Sequence, residues 1–495
     1  MNLDAADLIA LLPLIAIATS VVVVMLAAAF YRHRHLTMGL TLLGLILSFA
    51  TLLPAAGAGP RQVTPLLLID HYALYYIGLV FAASFVVTVL CHAYFGSRES
   101  GTGALYILLL LAALGGAVLA ASNHFASFLL GLELYSIALF ALIAYPRNVE
   151  RALEAAIKYL VLTGFSSAFL LFGMAVIYAQ LGAMQFDEIG TMLIATGSPT
   201  NGILLAGLAL ILAGAGFKLA LVPFHMWAPD VYEGAPAPVA AFIATVSKGA
   251  VLALLLRYFV ATEAHRSPSI ILALSLIAIA SILIGNLLAL LQDNVKRILA
   301  YSSIAHLGYL LVGFLAAGTL AAEAVGYYLA AYFVTMLGAF GVVTLLSEGG
   351  RERDSGHLAD YRSLFWRRPW LAAAFTAMLL SLAGIPLTMG FVGKFYVAAA
   401  GVGASLWLLV IVLVIGSTIS LFYYLRIIAM MAAPLAETAL EQSPMPAMPA
   451  APAASAALAA LVVLLIWLGV DPAPLMHLLE TTVAQLPGLP VQAAK

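Results

Sequence analysis

A lysine and a proline lie close together inside one apolar segment, and this pair constrains the fold more than any other feature. Lys218 and Pro223 belong to a segment, beginning near residue 202, that is otherwise apolar enough to cross a membrane. A lysine at the centre of a bilayer costs about 2.5 to 3.5 kcal/mol, so it normally faces the protein interior or a water-filled path. Pro223 has no amide hydrogen for the carbonyl of Leu219, so we predict that the helix breaks about one residue after the lysine.

The composition places the whole chain in a membrane. Of its 495 residues, 64% are hydrophobic and only 9% are charged, which excludes a soluble globular protein of this length. The net charge is −1 and the positive residues are scattered, so no nucleic-acid partner is implied. The single cysteine, Cys91, excludes internal disulfides and a cysteine-ligated iron–sulfur cluster in this chain. Any redox chemistry is therefore expected in other chains.

The apolar runs predict an all-α polytopic membrane protein with about fourteen transmembrane helices, at about 20 residues per span. The predicted spans start near residues 7, 37, 71, 103, 125, 155, 202, 237, 268, 298, 323, 371, 404 and 455. The first run lacks the positively charged region of a signal peptide, so we interpret it as a retained first helix.

Most arginines fall in or beside alternate connections between the spans, and the positive-inside rule makes those connections cytoplasmic. The arginines on this side are Arg32, Arg34, Arg98, Arg147, Arg151, Arg297, Arg351, Arg353, Arg362, Arg367, Arg368 and Arg426. The opposite connections contain little beyond Arg61 and Arg266, and one of them is acidic at Asp187 and Glu188. An even number of spans then puts both termini on the outer face.

The spans also suggest a repeat, because spans four to eight and spans nine to thirteen form two blocks of five. An odd number of spans inverts the second block relative to the first. Each block contains one span predicted to be broken: span 7 carries Lys218 and Pro223, and span 12 carries Pro386 and Lys394. Inverted repeats with interrupted helices are a recurring plan of transporters, with sites near the membrane midplane at the breaks. The predicted parts are an N-terminal part of three spans (1–102), the first block (103–262), the second block (263–431), and a Pro/Ala-rich linker with the last helix (432–495).

Few ionisable side chains lie inside the predicted spans, and four of them are candidates for a proton relay: Glu133, Lys218, Lys248 and Lys394. Desolvation favours the neutral form of a lysine and a nearby carboxylate favours the charged form, so a partner that moves can make a lysine take up and release a proton. The alternatives are a static buried pair for Glu133 and Lys218, and a side chain that reaches the membrane interface for Lys248.

Three further residues are secondary relay candidates with equally plausible structural roles. His306 lies on a hydroxyl-rich and aromatic helix face, where it is either a proton relay or a hydrogen-bonded packing residue. His225 and Asp230 follow the Pro223 break near the predicted cytoplasmic surface, where ordinary solvation also explains them.

A charged helix start precedes span six. Arg151, Glu154 and Lys158 follow one another at spacings of three and four, which puts them on one helix face. A solvated helix start is the simpler interpretation, and a proton entrance that feeds the Glu133 region is the functional one. No phosphate-binding loop, no dinucleotide-binding glycine pattern and no metal-ligand cluster of known spacing occurs in the sequence, so neither a cofactor site nor a metal site is predicted in this chain.

Together these motifs resemble a known family. The run Pro-Phe-His-Met-Trp-Ala-Pro-Asp at 223–230, the segment 293–308 and the segment 383–394 are similar to signatures of the antiporter-like, proton-translocating subunits of respiratory complex I and of related multisubunit cation/proton antiporters. The resemblance covers roughly residues 70 to 430, and the fourteen predicted spans fit it. The chain stops soon after its last span, which disfavours the family member that carries a long lateral helix.

The resemblance implies a role for each relay candidate. It implies that Glu133 pairs with and modulates Lys218, that Lys248 is the central relay, and that Lys394 is the exit-side lysine of the second half. Span ten offers no second strong carboxylate to match Glu133, which departs from full symmetry of the two halves.

The resemblance also implies partners. FMN, iron–sulfur clusters and quinone are expected in other subunits of an NADH:quinone oxidoreductase, and none of them in this chain. The expected location is the inner membrane of a bacterium, as a multi-pass subunit with both termini in the periplasm. Two alternatives stay open: a subunit of a stand-alone Na⁺/H⁺ antiporter, which exchanges cations without NADH, and a non-pumping scaffold, which tolerates neutralisation of its buried charges.

Overall fold

The computed structural model describes residues 4–31, 33–96, 103–195, 202–263, 267–347, 354–434 and 451–484. Several residues used in the sequence argument lie outside these ranges. They are Arg32, Arg98, Arg266, Arg351 and Arg353, the two chain ends, and residues 435–450 of the Pro/Ala-rich linker.

The described residues form twenty-one α-helices and one small hairpin. The helices are α1 (Ala5–Phe30), α2 (Arg34–Ala50), α3 (Leu52–Gly57), α4 (His71–Phe95), α5 (Gly103–Ala121), α6 (Phe125–Ile143), α7 (Glu150–Leu181), α8 (Phe186–Ala195), α9 (Gly202–Leu219), α10 (Trp227–Gly234), α11 (Ala237–Phe242), α12 (Lys248–Ala261), α13 (Pro268–Leu290), α14 (Val295–Ala316), α15 (Thr319–Ser347), α16 (Leu364–Arg367), α17 (Pro369–Ala383), α18 (Met389–Gly403), α19 (Trp407–Ala432), α20 (Pro452–Val470) and α21 (Ala473–Val483).

The predicted all-α membrane fold is confirmed. Thirteen of the fourteen predicted spans are helices long and apolar enough to cross a membrane. The remaining one, span 12, is divided into the shorter apolar helices α17 and α18. The sequence argument did not foresee the antiparallel hairpin of strands β1 (Arg61–Thr64) and β2 (Leu67–Ile69), which joins spans two and three with Arg61 opposite Ile69.

The packing order of the first block is repeated in the second. In each block the most extensive contacts join the first helix with the second, α5 with α6 and α13 with α14. They also join the third helix with the broken fourth, α7 with α9 and α15 with α17 and α18. Equivalent helices therefore have equivalent neighbours, as a repeat requires.

Three helices form the centre of the molecule. The span containing α12, together with α14 and α15, is buried on nearly all sides. A helix that is apolar all round normally belongs inside a protein or a membrane. These three nevertheless carry polar side chains, including Lys248, Ser303 and His306, all at most 3% exposed. The polar groups of the core therefore have to satisfy one another.

The broken span 7 ends its first half in a Schellman motif. Ala220 adopts a left-handed conformation with φ of 58°. Its amide donates to the carbonyl of Phe217 at 3.0 Å, and the amide of Leu221 donates to the carbonyl of Gly216 at 2.8 Å. This pattern satisfies carbonyls that a helix end otherwise leaves free. α9 ends at Leu219, one residue after Lys218, as the proline predicts.

Span 12 ends its first half in the same way. Gly384 has a φ of 88°. Its amide donates to the backbone carbonyl of Ser381 at 3.0 Å, and the amide of Ile385 donates to the carbonyl of Leu380 at 3.0 Å. The predicted break near Pro386 is therefore present. The two breaks differ at the left-handed position, which is an alanine in span 7 and a glycine in span 12.

This difference predicts opposite effects of exchanging the two residues. A Cβ atom at Gly384 is strained by the positive φ and lies 3.0 Å from Lys394 Cδ, so Gly384→Ala is expected to destabilise the protein by about 1–2 kcal/mol. Ala220→Gly removes such strain and is expected to stabilise it by up to about 1 kcal/mol. Thermal unfolding of the purified complex of each variant measures both shifts, and shifts of equal sign would contradict this account of the breaks.

The predicted topology leads to a labelling experiment. Ala359 and Ala473 are both exposed alanines, and the alternation of spans places them on opposite faces of the membrane. With the buried Cys91 replaced by alanine, Ala359→Cys is expected to react with an impermeant thiol reagent only from the cytoplasmic side. Ala473→Cys is expected to react in intact cells whose outer membrane admits the reagent. The reverse pattern would overturn the orientation.

Candidate functional site

The site is built around three buried lysines. Lys218, Lys248 and Lys394 are between 0% and 6% exposed. Each ammonium lies over one tyrosine ring. The distances from ammonium nitrogen to ring centroid are 5.8 Å for Lys218 and Tyr135, 5.5 Å for Lys248 and Tyr232, and 5.2 Å for Lys394 and Tyr309. Such cation–π contacts stabilise a desolvated cation without removing its ability to give up a proton. No carboxylate forms an ion pair with any of the three lysines within the described residues.

Lys218 and Glu133 do not form the direct pair that the resemblance implies. Lys218 Nζ donates to Ser136 Oγ at 2.9 Å, and Ser167 Oγ donates to a carboxylate oxygen of Glu133. Glu133 and Ser136 are three residues apart on α6 and so lie on neighbouring positions of one face. Each of the two charged groups is thus held by a serine, close to the other but not bonded to it.

Lys248 lies beside an irregular turn in the middle of its span. Residues Ile243–Ser247 form a π-helical turn that leads directly into Lys248 at the start of α12. Single π turns are rare and occur frequently at functional sites. The Lys248 ammonium donates to Ser303 Oγ, which also accepts a 2.8 Å hydrogen bond from the Tyr332 hydroxyl. The central lysine is therefore connected to α14 and α15 through one serine.

His306 lies one turn after Ser303 on α14 and is bonded on both sides. Its Nδ1 is 2.7 Å from the Tyr328 hydroxyl, and its Nε2 is 3.3 Å from the Tyr424 hydroxyl. The sequence left open whether this histidine is a relay or a packing residue. A neutral imidazole with one donor and one acceptor nitrogen between two phenols is suited to both roles.

Lys394 lies in α18, the second half of broken span 12, and its side chain caps the end of α17, the first half. Its ammonium donates to the carbonyls of Leu382 and Ala383 at 2.8 and 3.0 Å, and to Ser417 Oγ at 2.8 Å. These carbonyls belong to the last turn of α17, where the helix dipole is negative. Lys218, by contrast, lies in the last turn of the first half of its span. Lys218 therefore belongs to the helix before its break, and Lys394 to the helix after its break.

One face of α14 connects the central lysine with the lysine of the second block. Ser303, His306 and Tyr309 are spaced by three residues, which aligns them along the helix. Ser303 binds Lys248, the rings of His306 and Tyr309 are 5.4 Å apart, and Tyr309 lies under Lys394. Between Lys218 and Lys248, no hydrogen bond is present in the described part of the chain.

The remaining predicted residues form a charged network at the arginine-rich end. Asp230, at the start of α10, binds Lys158 and Arg297 at 2.8 Å each, and Lys158 also pairs with Glu154 at 2.7 Å. Although partial burial acts to raise it, hydrogen bonds from Lys158 and Arg297 hold the pKa of Asp230 below its ordinary value. The network joins α7, α10 and α14 through ion pairs. Arg151 extends it by a 3.4 Å contact with Glu233, which also binds Arg297 at 3.0 Å.

His225 lies between this network and the Pro223 break. It is 6% exposed, and neither of its ring nitrogens has a hydrogen-bond partner among the described residues. It is therefore near the break, as predicted, but the structure does not connect it with Lys218.

Sequence reasoning missed the neutral partners of the lysines and two buried ion pairs. The serines and tyrosines are too common in the sequence to be selected without the fold. Lys296 binds Asp354 at 2.7 Å, and Arg257 binds Asp70 at 2.7 Å, with all four side chains at most 9% exposed. These residues fall near predicted span ends or in a connection, where the sequence does not distinguish a buried charge from an exposed one. Their burial is the signal that only the structure provides.

The charged network predicts a pH dependence of stability. Since the pKa of Asp230 is lowered in the folded state, its contribution is complete above the ordinary aspartate value, about 3.9, and is lost as the pH falls through the lower folded value. Asp230→Asn is expected to lower the stability of the purified complex at pH 7 by about 1 kcal/mol, a figure that allows for solvent screening of the partly exposed carboxylate. The variant is also expected to lose part of the acid dependence.

Glu154→Gln is the matched control for that experiment, because Glu154 also binds Lys158 but is 62% exposed. Its effect on the thermal unfolding curve is expected to be smaller, since exposed ion pairs contribute little. Equal effects of the two substitutions would show that Asp230 does not organise the network.

Comparisons with known proteins agree with these features. Residues 122–420 match the family model described as "NADH:quinone oxidoreductase/Mrp antiporter, TM". A relative from Nitrosospira multiformis, named NADH-quinone oxidoreductase subunit N, is 66% identical over 485 residues and covers 96% of each chain. A chain in the structure of respiratory complex I from Thermus thermophilus with bound aureothin is 33% identical, with a TM-score of 0.80 over 95% of this chain and 99% of that one.

A chain of the Mrp complex from Dietzia sp. DQ12-45-1b shares the fold alone, since its TM-score is 0.84 over 97% of both chains but its identity is 19%. The resemblance inferred from the motifs at residues 223–230, 293–308 and 383–394 is thereby confirmed. The chain belongs to the NADH:quinone oxidoreductase/Mrp antiporter family of membrane subunits, and it is similar over nearly its whole length to a protein named subunit N of NADH-quinone oxidoreductase.

Proposed function

We propose that this chain is a membrane subunit of a bacterial proton-pumping NADH:quinone oxidoreductase and that it moves protons through a relay of Glu133, Lys218, Lys248 and Lys394. The energy comes from quinone reduction in other subunits, where FMN and the iron–sulfur clusters also reside. The names of its relatives support the membership. The observation that carries the relay is the set of three buried lysines, each bonded to neutral groups and none to a carboxylate.

A lysine bonded to a serine differs from a lysine in an ion pair by its affinity for a proton. At an effective dielectric constant of about 20, an ion pair at about 4 Å is worth roughly 4 kcal/mol, which corresponds to a change in proton affinity of roughly a thousandfold. The value is an upper bound, because water screens part of it. The serine-bonded arrangement of Lys218 and Glu133 is therefore the state in which the lysine readily releases its proton.

The first step of the relay is the separation and approach of Glu133 and Lys218. When the carboxylate approaches the ammonium, Lys218 takes up and holds a proton. When Ser167 and Ser136 hold the two groups apart, as in this structure, Lys218 passes its proton toward Lys248. A side-chain rotation of either group is enough to change their distance, because they lie near each other on α6 and α9.

The second step runs along α14. Lys248 donates to Ser303, which also accepts from the Tyr332 hydroxyl. One turn further along α14, His306 contacts the Tyr328 hydroxyl, on the side of the second block. Hydroxyl and imidazole groups both donate and accept, so a proton can enter on one side of each group and leave on the other. Lys394, at the break of span 12, is the last lysine before the exit.

The charged network at the arginine-rich end is the entrance in this proposal. Glu154, Lys158 and Asp230 surround a cavity that is open to the surface and lies at the cytoplasmic start of α7. The same helix carries Ser167, the partner of Glu133, further along its length. Protons reach Glu133 from this side, and the breaks at Pro223 and Pro386 provide the irregular backbone that admits water to the lysines.

Two other functions make different predictions. A subunit of a stand-alone Na⁺/H⁺ antiporter exchanges cations in vesicles without NADH, and the 66% identity to a subunit N favours the oxidoreductase instead. A non-pumping scaffold keeps its function when the buried lysines are neutralised. The lysines without a carboxylate partner speak against a scaffold, because burying an uncompensated ammonium is costly.

The relay is tested by replacing Lys218 in the complete complex. Lys218→Met is expected to reduce NADH-driven proton uptake into inside-out vesicles by about tenfold or more, since a positioned proton carrier typically contributes that much. NADH oxidation through quinone is expected to slow in parallel because pumping and electron transfer are coupled. Lys248→Met, Lys394→Met and Glu133→Gln are expected to act in the same direction.

Lys218→Arg is the matched variant for charge, because arginine keeps the positive charge but does not release its proton. It is expected to fail in pumping as Lys218→Met does. Electron transfer from NADH to an artificial acceptor that bypasses quinone shows that each complex is assembled. Normal proton uptake by an assembled Lys218→Met complex would refute the relay and favour the scaffold.

A further inference from the structure

A second set of buried charges lies in the first block, away from the lysine relay. Arg257, near the end of α12, donates from its two terminal nitrogens to the two carboxylate oxygens of Asp70 at 2.8 and 2.7 Å. The side chains are 2% and 1% exposed. The guanidinium also lies over the Tyr72 ring, 4.8 Å from its centroid. This is a complete two-pronged ion pair, which fixes both partners in one geometry.

Arg257 lies on the same helix as the central lysine, closer to the arginine-poor end of the molecule, and Asp70 caps the start of α4. Lys248 and Arg257 are nine residues apart on α12, which corresponds to about 14 Å along the helix axis. The segment between them is buried, and the Tyr72 hydroxyl binds the carbonyl of Ala253 within it at 2.7 Å. Tyr76 packs against Tyr72 with ring centroids 4.7 Å apart.

Polar groups continue from the pair to the surface. The carbonyl of Ala120 lies 3.5 Å from a terminal nitrogen of Arg257, and the next polar residues along that connection are Ser122 and Asn123. Asn123 donates to Asp187 at 3.1 Å, and Asp187 is partly exposed. The ion pair therefore separates a buried group of tyrosine hydroxyls from a polar cluster at the arginine-poor surface.

Asp70 is 2% exposed, and three fixed donors bind its two carboxylate oxygens. One oxygen accepts from Arg257 at 2.7 Å and from the amide of Ala73, at the start of α4, also at 2.7 Å. The other oxygen accepts from Arg257 at 2.8 Å. Within the described residues, this second oxygen accepts only from Arg257 and keeps a free lone pair, but the fixed guanidinium beside it opposes the approach of a further positive charge. A free buried carboxylate, by contrast, is a proton carrier.

We propose that the Arg257–Asp70 pair is a proton barrier that closes the first block toward the arginine-poor side of the membrane. Arg257 does so by occupying Asp70, and its own guanidinium does not release a proton. The proton on Lys248 then leaves sideways along α14 toward Lys394 instead of returning through the first block. The inference rests on the proposed proton translocation, and it adds a residue that prevents leakage rather than one that carries protons.

The barrier is tested by a proton leak, which requires no turnover. Arg257→Met leaves Asp70 without its partner and thereby frees a carboxylate between the tyrosine hydroxyls and the polar cluster at the arginine-poor surface. Because a positioned proton carrier accelerates transfer by about 10² or more, an imposed pH gradient across vesicles that contain the complex is expected to collapse roughly tenfold faster. Asp70→Asn, which keeps the guanidinium and removes the carboxylate, is expected to hold the gradient as the unaltered complex does.

The double variant Asp70→Asn/Arg257→Met separates a barrier from a purely structural pair. Joint replacement of a buried ion pair is often tolerated, so this complex is expected to assemble. It has no carboxylate and is expected to retain the gradient. A leak of equal size in Arg257→Met and in the double variant would show a packing defect and overturn the proposal, as would a retained gradient in an assembled Arg257→Met complex.

Arg257→Lys provides the answer if the methionine variant does not assemble. Lysine keeps the charge, but its single ammonium does not reproduce the two-pronged contact. The imposed gradient is expected to collapse faster than with the unaltered complex and more slowly than with a complex whose Asp70 carboxylate is free. A gradient held as well as by the unaltered complex would overturn the proposal. The lysine relay is judged separately, because Lys218→Met is expected to lose NADH-driven proton uptake while holding an imposed gradient normally.

Discussion

A helix that ends inside a membrane leaves carbonyl groups that lipid cannot satisfy, and the structure depends on how this chain resolves that constraint. Both broken spans close their first halves with the same pair of backward hydrogen bonds, around Ala220 and around Gly384. Lys394 supplies the remaining donors in span 12, and the indole of Trp227 donates to the carbonyl of Phe217 at 2.8 Å in span 7. The breaks are thus stable structural elements, and they hold polar groups at a depth where they can act on protons.

The buried charges divide into two kinds with different physical consequences. Arg257 with Asp70 and Lys296 with Asp354 are closed ion pairs, each with a carboxylate oxygen 2.7 Å from the cationic nitrogen. The three relay lysines instead contact serines, carbonyls and tyrosine rings. Neutral partners do not hold a proton on a lysine as a carboxylate does, and the proposed relay requires this difference. The family membership and this division of charges support the same function.

α14 gives the two halves of the molecule a common centre. Its serine, histidine and tyrosine positions face the central lysine at one end and the lysine of the second block at the other. The two blocks repeat one packing order, but their polar contents differ: Glu133 has no carboxylate counterpart on the equivalent helix, which carries His306 instead. A shared backbone plan therefore supports two halves that are chemically unequal.

The sequence alone determined the membrane fold, the number of spans, the two breaks and the positions of the buried lysines that we propose as relay groups, because a charge or a proline in an apolar run is costly and therefore informative. The tertiary structure alone decided what those residues touch. Glu133 and Lys218 were expected to be bonded but are held by separate serines. Asp70 and Arg257, which no sequence pattern singles out, form a closed pair across 187 residues of sequence. Local patterns record the cost of placing a group in a bilayer, whereas the partner that offsets this cost comes from a distant helix and is fixed only by packing.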